Sequence, residues 1–424
     1  MSETVFTYAA PALKFGRGAA AEIGYDVSGW GARRVLLVTD PGVAAVGHPA
    51  RVADDLRARG LEVVVFDRAH VEPTDVSLTE AVDFARSEGP FDAVVAVGGG
   101  SSIDTAKAVA LLVTNPGELM DYINAPVGKA RAPEQPVLPL VAVPTTTGTG
   151  SESTTICVMD VLSLKVKTGI SHAALRPRLA VVDPSLSATQ PAGVIAAAGM
   201  DICCHALESY TARWFADFDA KTPEQRVPYC GSNPVADLWS ERALGLLAAS
   251  FRAAVRREPG APLPDQVADD LALAATFAGL GFGNAGVHIP HANAYPIAGR
   301  VRDFTPVDYP PAEPMVPHGM AVALTAPEAF RFTFDAAPER HLRAAALLDP
   351  TGAADGPDAL PAALAGLMRD LSLPNGLGEI GYGADDVDDL VDGALKQQRL
   401  LATAPKDVTG DDLAGIVAAS MENW

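Results

Sequence analysis

Residues 93–107 read A-V-V-A-V-G-G-G-S-S-I-D-T-A-K, an apolar run followed by three glycines and a polar turn into a helix. A short, continuous apolar run bounded by turn residues reads as a strand buried on both faces, the habit of parallel sheets. Gly98, Gly99 and Gly100 let the backbone reach positive φ and approach a ligand closely, and the helix that follows presents free N–H groups suited to phosphate. Ser101, Ser102 and Asp104 either cap that helix or contact the ligand. The order of glycines is not G-x-G-x-x-G, so a phosphate loop and a structural turn both remain open.

Working outward, residues 35–39 (V-L-L-V-T) and 62–66 (E-V-V-V-F) repeat the strand pattern, with amphipathic segments at 49–59 and 77–86 between the strands. Such alternation predicts an α/β domain with a parallel sheet. Residues 138–143 and 179–182 add strands that stop at Pro or Asp-Pro. Past 190 the pattern changes: 192–212, 234–257, 266–281, 338–348 and 360–371 read as helices, and no strong strand run follows. The expected fold class is an α/β N-terminal nucleotide-binding domain (1–190) followed by an all-α C-terminal metal-binding and substrate domain (191–424). The acidic run 385–392 reads as a solvated helix face, and 221–233 as a long loop.

The 424-residue chain carries a formal net charge of -20, which opposes nucleic acid and anionic membrane surfaces as partners. Small-molecule substrates are the expected partners, and a homo-oligomer is compatible with them. Cys157, Cys203, Cys204 and Cys230 are too few for a disulfide scaffold and read as packing residues in a reducing compartment. The N-terminal stretch M-S-E-T-V-F-T-Y resembles neither a secretory nor a transit leader, and no apolar run approaches the ~20 residues of a membrane span. The expected location is cytoplasmic.

Residues 144–155 (P-T-T-T-G-T-G-S-E-S-T-T) also follow a strand. Thr145, Thr146, Thr149 and Ser151 can hydrogen-bond a cofactor's phosphates or nicotinamide, and two such loops in one domain strengthen the nucleotide reading. Lys167 either adds charge to that pocket or is a surface lysine. Asp40 ends the first strand; it can accept from a ribose hydroxyl and repel a 2′-phosphate, favouring NAD over NADP, or it can simply make an Asp-Pro-Gly turn.

In the second half, residues 199–212 read G-M-D-I-C-C-H-A-L-E-S-Y-T-A. Asp201 and His205 are four apart, so on a helix both face one side and can grip one divalent ion; alternatively they are a capping Asp and a core His. His288, His291 and His318 lie about a hundred residues on. One histidine from each later segment would complete an Asp-His-His-His set, and spacing leaves His288 and His291 as alternatives. Nitrogen and oxygen donors suit Fe, Zn, Co or Ni better than Ca or Mg. One carboxylate on a divalent cation leaves a positive centre able to polarise an alcohol or carbonyl oxygen.

Taken in order, G-G-G-S-x-x-D-x-A-K, T-T-x-G-T-G-S-E, D-x-x-x-H, the later histidine segment and P-H-G-M-A resemble the iron-containing (group III) alcohol dehydrogenases over nearly the whole chain. The resemblance implies a dehydroquinate synthase-like fold, a bound NAD, a divalent metal such as Fe(II) or Zn(II), and the ligand set Asp201, His205, His291 and His318. It prefers His291 because H-A-N-A-Y-P aligns with the family's H-G-M-x-H-P. The family's second histidine falls on Tyr295, a departure at a position tied to proton relay. Further stretches, including C-H-A-L-E-S-Y-T, G-S-N-P-V-A-D-L-W and F-A-G-L-G-F-G-N-A-G-V-H, look most like the branch of hydroxyacid–oxoacid transhydrogenases. That branch implies oxidation of 4-hydroxybutyrate coupled to reduction of 2-oxoglutarate by hydride transfer through a nicotinamide that stays bound. The alternatives are an ordinary NAD(H)-dependent alcohol dehydrogenase or aldehyde reductase, and a maleylacetate reductase. Both transhydrogenase substrates are carboxylates, so Arg300 and Arg302, with Arg213 behind them, are the candidate substrate cations.

Overall fold

The computed structural model describes residues 1–164, 166–226, 228–309 and 314–424. The chain forms two compact units, one spanning Ala10–Ala188 and the other combining Met1–Ala9 with Thr189–Trp424.

The Ala10–Ala188 unit is built on eight strands: β1 (Ala12–Phe15), β2 (Arg34–Val38), β3 (Glu62–Phe66), β4 (Ala93–Gly98), β5 (Leu140–Pro144), β6 (Ile156–Val161), β7 (Val166–Ser171) and β8 (Leu179–Val182). Six of them form a sheet in the order β1-β8-β5-β4-β2-β3, with every neighbouring pair parallel. β6 and β7 make a separate antiparallel pair.

The apolar runs are continuous because alternate residues feed different cores. Leu36, Val38, Val94, Ala96, Leu140 and Ala142 pack on one face with the Asp75–Glu88 and Gly100–Leu112 helices. Val35, Leu37, Val95, Val97, Val141 and Val143 pack on the other, with the Ile23–Gly29 and His48–Ala58 helices. The β2–β3 and β3–β4 crossovers use opposite faces because β4 lies on the far side of β2 from β3, and parallel crossovers are right-handed. The strand order therefore reverses between β2 and β4, and ligands of open α/β sheets bind at the carboxyl ends of strands at such a point. Gly98 and Pro144 are register partners at the ends of β4 and β5, so the glycine-rich and threonine-rich loops leave the sheet at one level.

The other unit is helical. At its centre the Ala192–Thr211 helix is buried at every position from 199 to 211. Around it lie the Pro234–Val255, Asp265–Ala285, Ile289–Gly299, His318–Thr333, Pro338–Leu348 and Ala359–Asp370 helices, followed by Val387–Leu395 and Gly410–Ala419. Two glycines set the spacing. A Cβ on Gly199 would sit 2.2 Å from the Phe251 ring, and one on Gly319 would sit 2.1 Å from the Ala197 carbonyl oxygen. The His318–Thr333 helix thus begins against the turn that carries Asp201. No single helix among the described residues is long and apolar enough to cross a membrane.

Met1–Ala9 belongs to the helical unit, although the sequence reading assigned it to the α/β domain. Phe6 meets Phe215 edge to face, Ala9 exchanges hydrogen bonds with the Asn284 side chain, and Glu3 binds Arg226. The acidic run falls on a 3-10 turn and the Val387–Leu395 helix, whose Leu390 and Val391 are buried while Asp389 is exposed.

Candidate metal centre and dinucleotide cradle

The helical unit brings together Asp201, His205 and His291, each offering a ligand atom within 4.8 Å of the others. Asp201 Oδ1 lies 3.6 Å from His205 Nε2, 3.5 Å from His291 Nε2 and 4.0 Å from His318 Nε2. These separations are long for good hydrogen bonds. An ion with bonds of about 2.1 Å in tetrahedral geometry keeps its ligand atoms roughly 3.4 Å apart, close to the separations of Asp201 from His205 and His291, with His318 somewhat farther off. Asp201 Oδ1 and His291 Nε2 are both buried with no hydrogen-bond partner. Two such atoms converging on one point fit a cation. His205 is held by stacking, its ring 3.8 Å from that of Phe282 and nearly parallel to it.

Spacing left His288 and His291 as alternatives, and the geometry separates them. His288 is fully buried outside the cluster, its Nε2 3.1 Å from Thr211 Oγ1. That hydroxyl already donates to the Leu207 carbonyl, so His288 Nε2 must be the donor to it. His291 is gripped from behind by Glu208: Nδ1 lies 2.5 Å from Oε1, while Oε2 accepts the His288 N–H at 2.6 Å. The sequence reading missed Glu208. Its signal was present, since it stands three residues after His205 on a helix buried all round, where a carboxylate needs a partner.

The electrostatics follow from burial and proximity. Burial pushes His205 down to about 3 and His288 down to about 4. Burial opposes charge on His291 too, but the Glu208 and Asp201 carboxylates outweigh it and raise the imidazole to about 9 in the metal-free protein. Burial likewise works to raise Asp201, yet the three surrounding imidazoles hold it well below its ordinary value. Tyr295 stands one turn after His291, its ring centroid 6.0 Å from that of His318.

In the α/β unit the cradle is braced by its own side chains. The three glycines admit close neighbours: a Cβ on Gly98 would lie 2.4 Å from Ser102 Oγ, one on Gly99 3.1 Å from Thr146 Oγ1, and one on Gly100 2.7 Å from the Thr149 side chain. The helix after them begins at Gly100 with no side-chain cap, leaving its first N–H groups to a ligand. Asp40 takes up its turn reading as the cap of the helix that starts at Pro41. Its Oδ1 caps the next helix through the Val43 N–H, and its Oδ2 accepts from Ser102 Oγ at 3.0 Å, across the reversal between β2 and β4. Ser101 Oγ accepts the Glu72 N–H.

Several residues expected at the cofactor are instead joined to one another. Ser151 Oγ donates to Asp104 at 2.5 Å, and Asp104 also accepts the Val158 N–H. The fully buried Lys107 ammonium reaches Ser151, Thr154 and the Ile156 carbonyl, a bracing role that the sequence reading did not assign. Lys167 is not a free pocket charge: it is buried between Glu72 and Asp160, whose carboxylates raise its pKa against the opposing effect of burial. Thr145 donates its backbone N–H to Gly98 while its buried hydroxyl has no partner.

The arginines expected at the substrate are each ion-paired within the helical unit. Arg300 pairs with Asp389 at 2.8 Å, and Arg302 pairs with Asp386 and the Gly381 carbonyl. Arg213 binds Asp407 and the Ala404 carbonyl. Each guanidinium is ion-paired with a carboxylate far along the chain, and the Arg300 and Arg302 side chains stay partly exposed.

Comparison with known proteins decides the family. Residues 10–184 match the model described as iron-containing alcohol dehydrogenase, and residues 224–421 match the Fe-containing alcohol dehydrogenase family, C-terminal. The chain belongs to the iron-containing alcohol dehydrogenase family. This family member is accordingly a metal-dependent oxidoreductase. It is 42% identical to the mitochondrial hydroxyacid-oxoacid transhydrogenase of Bos taurus and 41% identical to that of Homo sapiens, over 99% of this chain and 91% of each relative. Among solved structures it resembles a 1,3-propanediol oxidoreductase (29% identity, 98% of this chain and 100% of that one, TM-score 0.83). It also resembles the sulfoacetaldehyde reductase of Bifidobacterium kashiwanohense in complex with NAD+ (25% identity, 98% of each chain, TM-score 0.78). The family implies a divalent metal and NAD. The Asp201 cluster fits the first, and the uncapped helix after Gly98–Gly100 fits the second.

The expectation of a cytoplasmic protein is overturned by these relatives, which are named as mitochondrial. Cys157, Cys203, Cys204 and Cys230 are free, and unpaired cysteines do not distinguish one compartment from another.

Proposed function

We propose that this chain is a hydroxyacid–oxoacid transhydrogenase, oxidising 4-hydroxybutyrate to succinic semialdehyde and reducing 2-oxoglutarate to 2-hydroxyglutarate. The observation that carries the reading is its full-length likeness to transhydrogenases of that name. Tyr295 supports it, standing beside His318 where the wider family resemblance expects a second histidine.

In this reading Asp201, His205, His291 and His318 hold the ion, Fe(II) by the family's name with Zn(II) as the competing load. The ion supplies Lewis acidity, lowering the pKa of a substrate hydroxyl or polarising a keto oxygen. Tyr295 orients the substrate oxygen through its phenol. The Ala10–Ala188 unit holds NAD, with Gly98–Gly100 and the helix start on the phosphates, Thr145, Thr146 and Thr149 lining the same cradle, and Asp40 on the ribose side, where its charge disfavours a 2′-phosphate. Asp104, Ser151 and Lys107 keep the two loops in register. The protein's part is orientation and electrostatics, and the nicotinamide carries the hydride chemistry.

Metal-loaded protein incubated with 4-hydroxybutyrate and 2-oxoglutarate, with no nicotinamide added, should form 2-hydroxyglutarate over many turnovers. Product that forms only when NAD is supplied would instead indicate an ordinary NAD(H)-dependent alcohol dehydrogenase.

A further inference from the structure

We infer that Glu208 is a positioning residue for the metal: it fixes the tautomer and orientation of His291 and adds the second negative charge that balances a divalent ion. The inference rests on reading Asp201, His205, His291 and His318 as ligands. Glu208 itself lies outside that set, fully buried, one turn beyond His205 on the same helix.

The geometry leaves little freedom. An ionised carboxylate only accepts hydrogen bonds, so His291 Nδ1, 2.5 Å from Oε1, must carry a proton and donate it. In the neutral ring that a metal ligand must be, the lone pair then belongs to Nε2, the nitrogen facing Asp201 Oδ1 across 3.5 Å. The other carboxylate oxygen accepts the His288 N–H at 2.6 Å, at the start of the helix that carries His291. One side chain thus sets both where that helix begins and which way the imidazole points. A carboxylate behind a ligating imidazole raises its basicity, and loss of such a partner typically weakens metal binding about 10–100-fold. With Glu208 counted, two carboxylates balance the charge of a divalent ion, where Asp201 alone would leave an excess of one.

The test is metal affinity, read by competition with a chelator, in wild type and Glu208→Gln. A glutamine matches the shape but opposes its amide donors to one of the two donors now satisfied. The expected result is a Zn(II) dissociation constant raised about 10–100-fold. An unchanged dissociation constant, with only a lowered melting temperature of the metal-free protein, would make Glu208 a helix cap and overturn the proposal. Because that variant can fail to fold, the wild type supplies a second reading: histidine-selective 15N NMR of the zinc-loaded protein, assigned with His291→Gln. A protonated Nδ1 and metal-bound Nε2 on His291 are expected, and the reverse tautomer would refute the assignment. A wild type that binds no stoichiometric metal would instead bring down the ligand reading and this inference with it, which separates the two failures.

Discussion

In the glycine-rich cradle Asp104, Ser151, Lys107 and Thr154 bond to one another, whereas in the histidine cluster Asp201 Oδ1 and His291 Nε2 face each other with no hydrogen-bond partner. Both groups are buried and polar, and burial without a partner is costly in either place. The cradle meets most of that cost internally through the bonds that join its two loops, the Thr145 hydroxyl being an exception. In the cluster Glu208 holds His291 from behind and Phe282 stacks against His205, and the front atoms fit a cation. A dinucleotide is recognised mainly through backbone N–H groups, which need rigid loops; a metal is recognised through side-chain lone pairs, which must be left unused.

Five substitutions sharpen or break that contrast or the stability around it. The largest effect is expected for Asp201→Ala, which should abolish metal retention and lower kcat/KM by about 10³-fold or more, as chelation of the wild type should. Bound nicotinamide should remain, and its loss alongside the metal would show that the two sites are not separable. Next, Lys107→Met leaves Asp104 buried without its cation and should cost the α/β unit about 3 kcal/mol, read by denaturant unfolding, with metal content unchanged. Gly319→Ala and Gly100→Ala make a matched pair at about 1–3 kcal/mol each for overpacking. The first drives a methyl into the Ala197 carbonyl and should weaken metal retention; the second meets the Thr149 side chain and should weaken nucleotide binding. Equal effects of both on both ligands would erase the distinction.

The smallest concerns pH. The Arg226 guanidinium and nearby backbone N–H groups hold Glu3 down from 4.5 to about 2, so the folded protein binds fewer protons there than the unfolded chain does. Its stabilising contribution is fully present above about 4.5 and is lost as pH falls through about 2. The melting-temperature gap between wild type and Glu3→Gln should therefore close between pH 5 and 2, and a gap that persists would assign Glu3 a packing role alone.

The strands at 35–39, 93–97, 138–143 and 179–182 were legible because burial on both faces makes a run apolar throughout, and 62–66 by its β-branched run although β3 is a half-exposed edge strand; each matches an observed strand to within two residues. β1 was not, because A-L-K-F is an exposed edge strand without that signature. The Ile289–Gly299 and His318–Thr333 helices were hidden by internal prolines, Pro296 and Pro327, and by histidines that read as site residues before they read as helix. Asp201, His205, His291 and His318 could be named from local spacing and resemblance. The engagement of Arg300 and Arg302 could not, because their partners lie 79 and more residues away. The same holds for Lys107 and Ser151, which meet across 44 residues.

Glu3 and Arg226 are separated by 223 residues, and the whole α/β unit lies between them. At ribosomal rates of about 5–20 residues per second, the N-terminal segment waits roughly 10–45 s after its own synthesis before Arg226 exists. The α/β unit can complete its core in that interval. Residues 1–9 are therefore among the last of their unit to find their place, and the helical unit closes over a segment synthesised well before the rest of it.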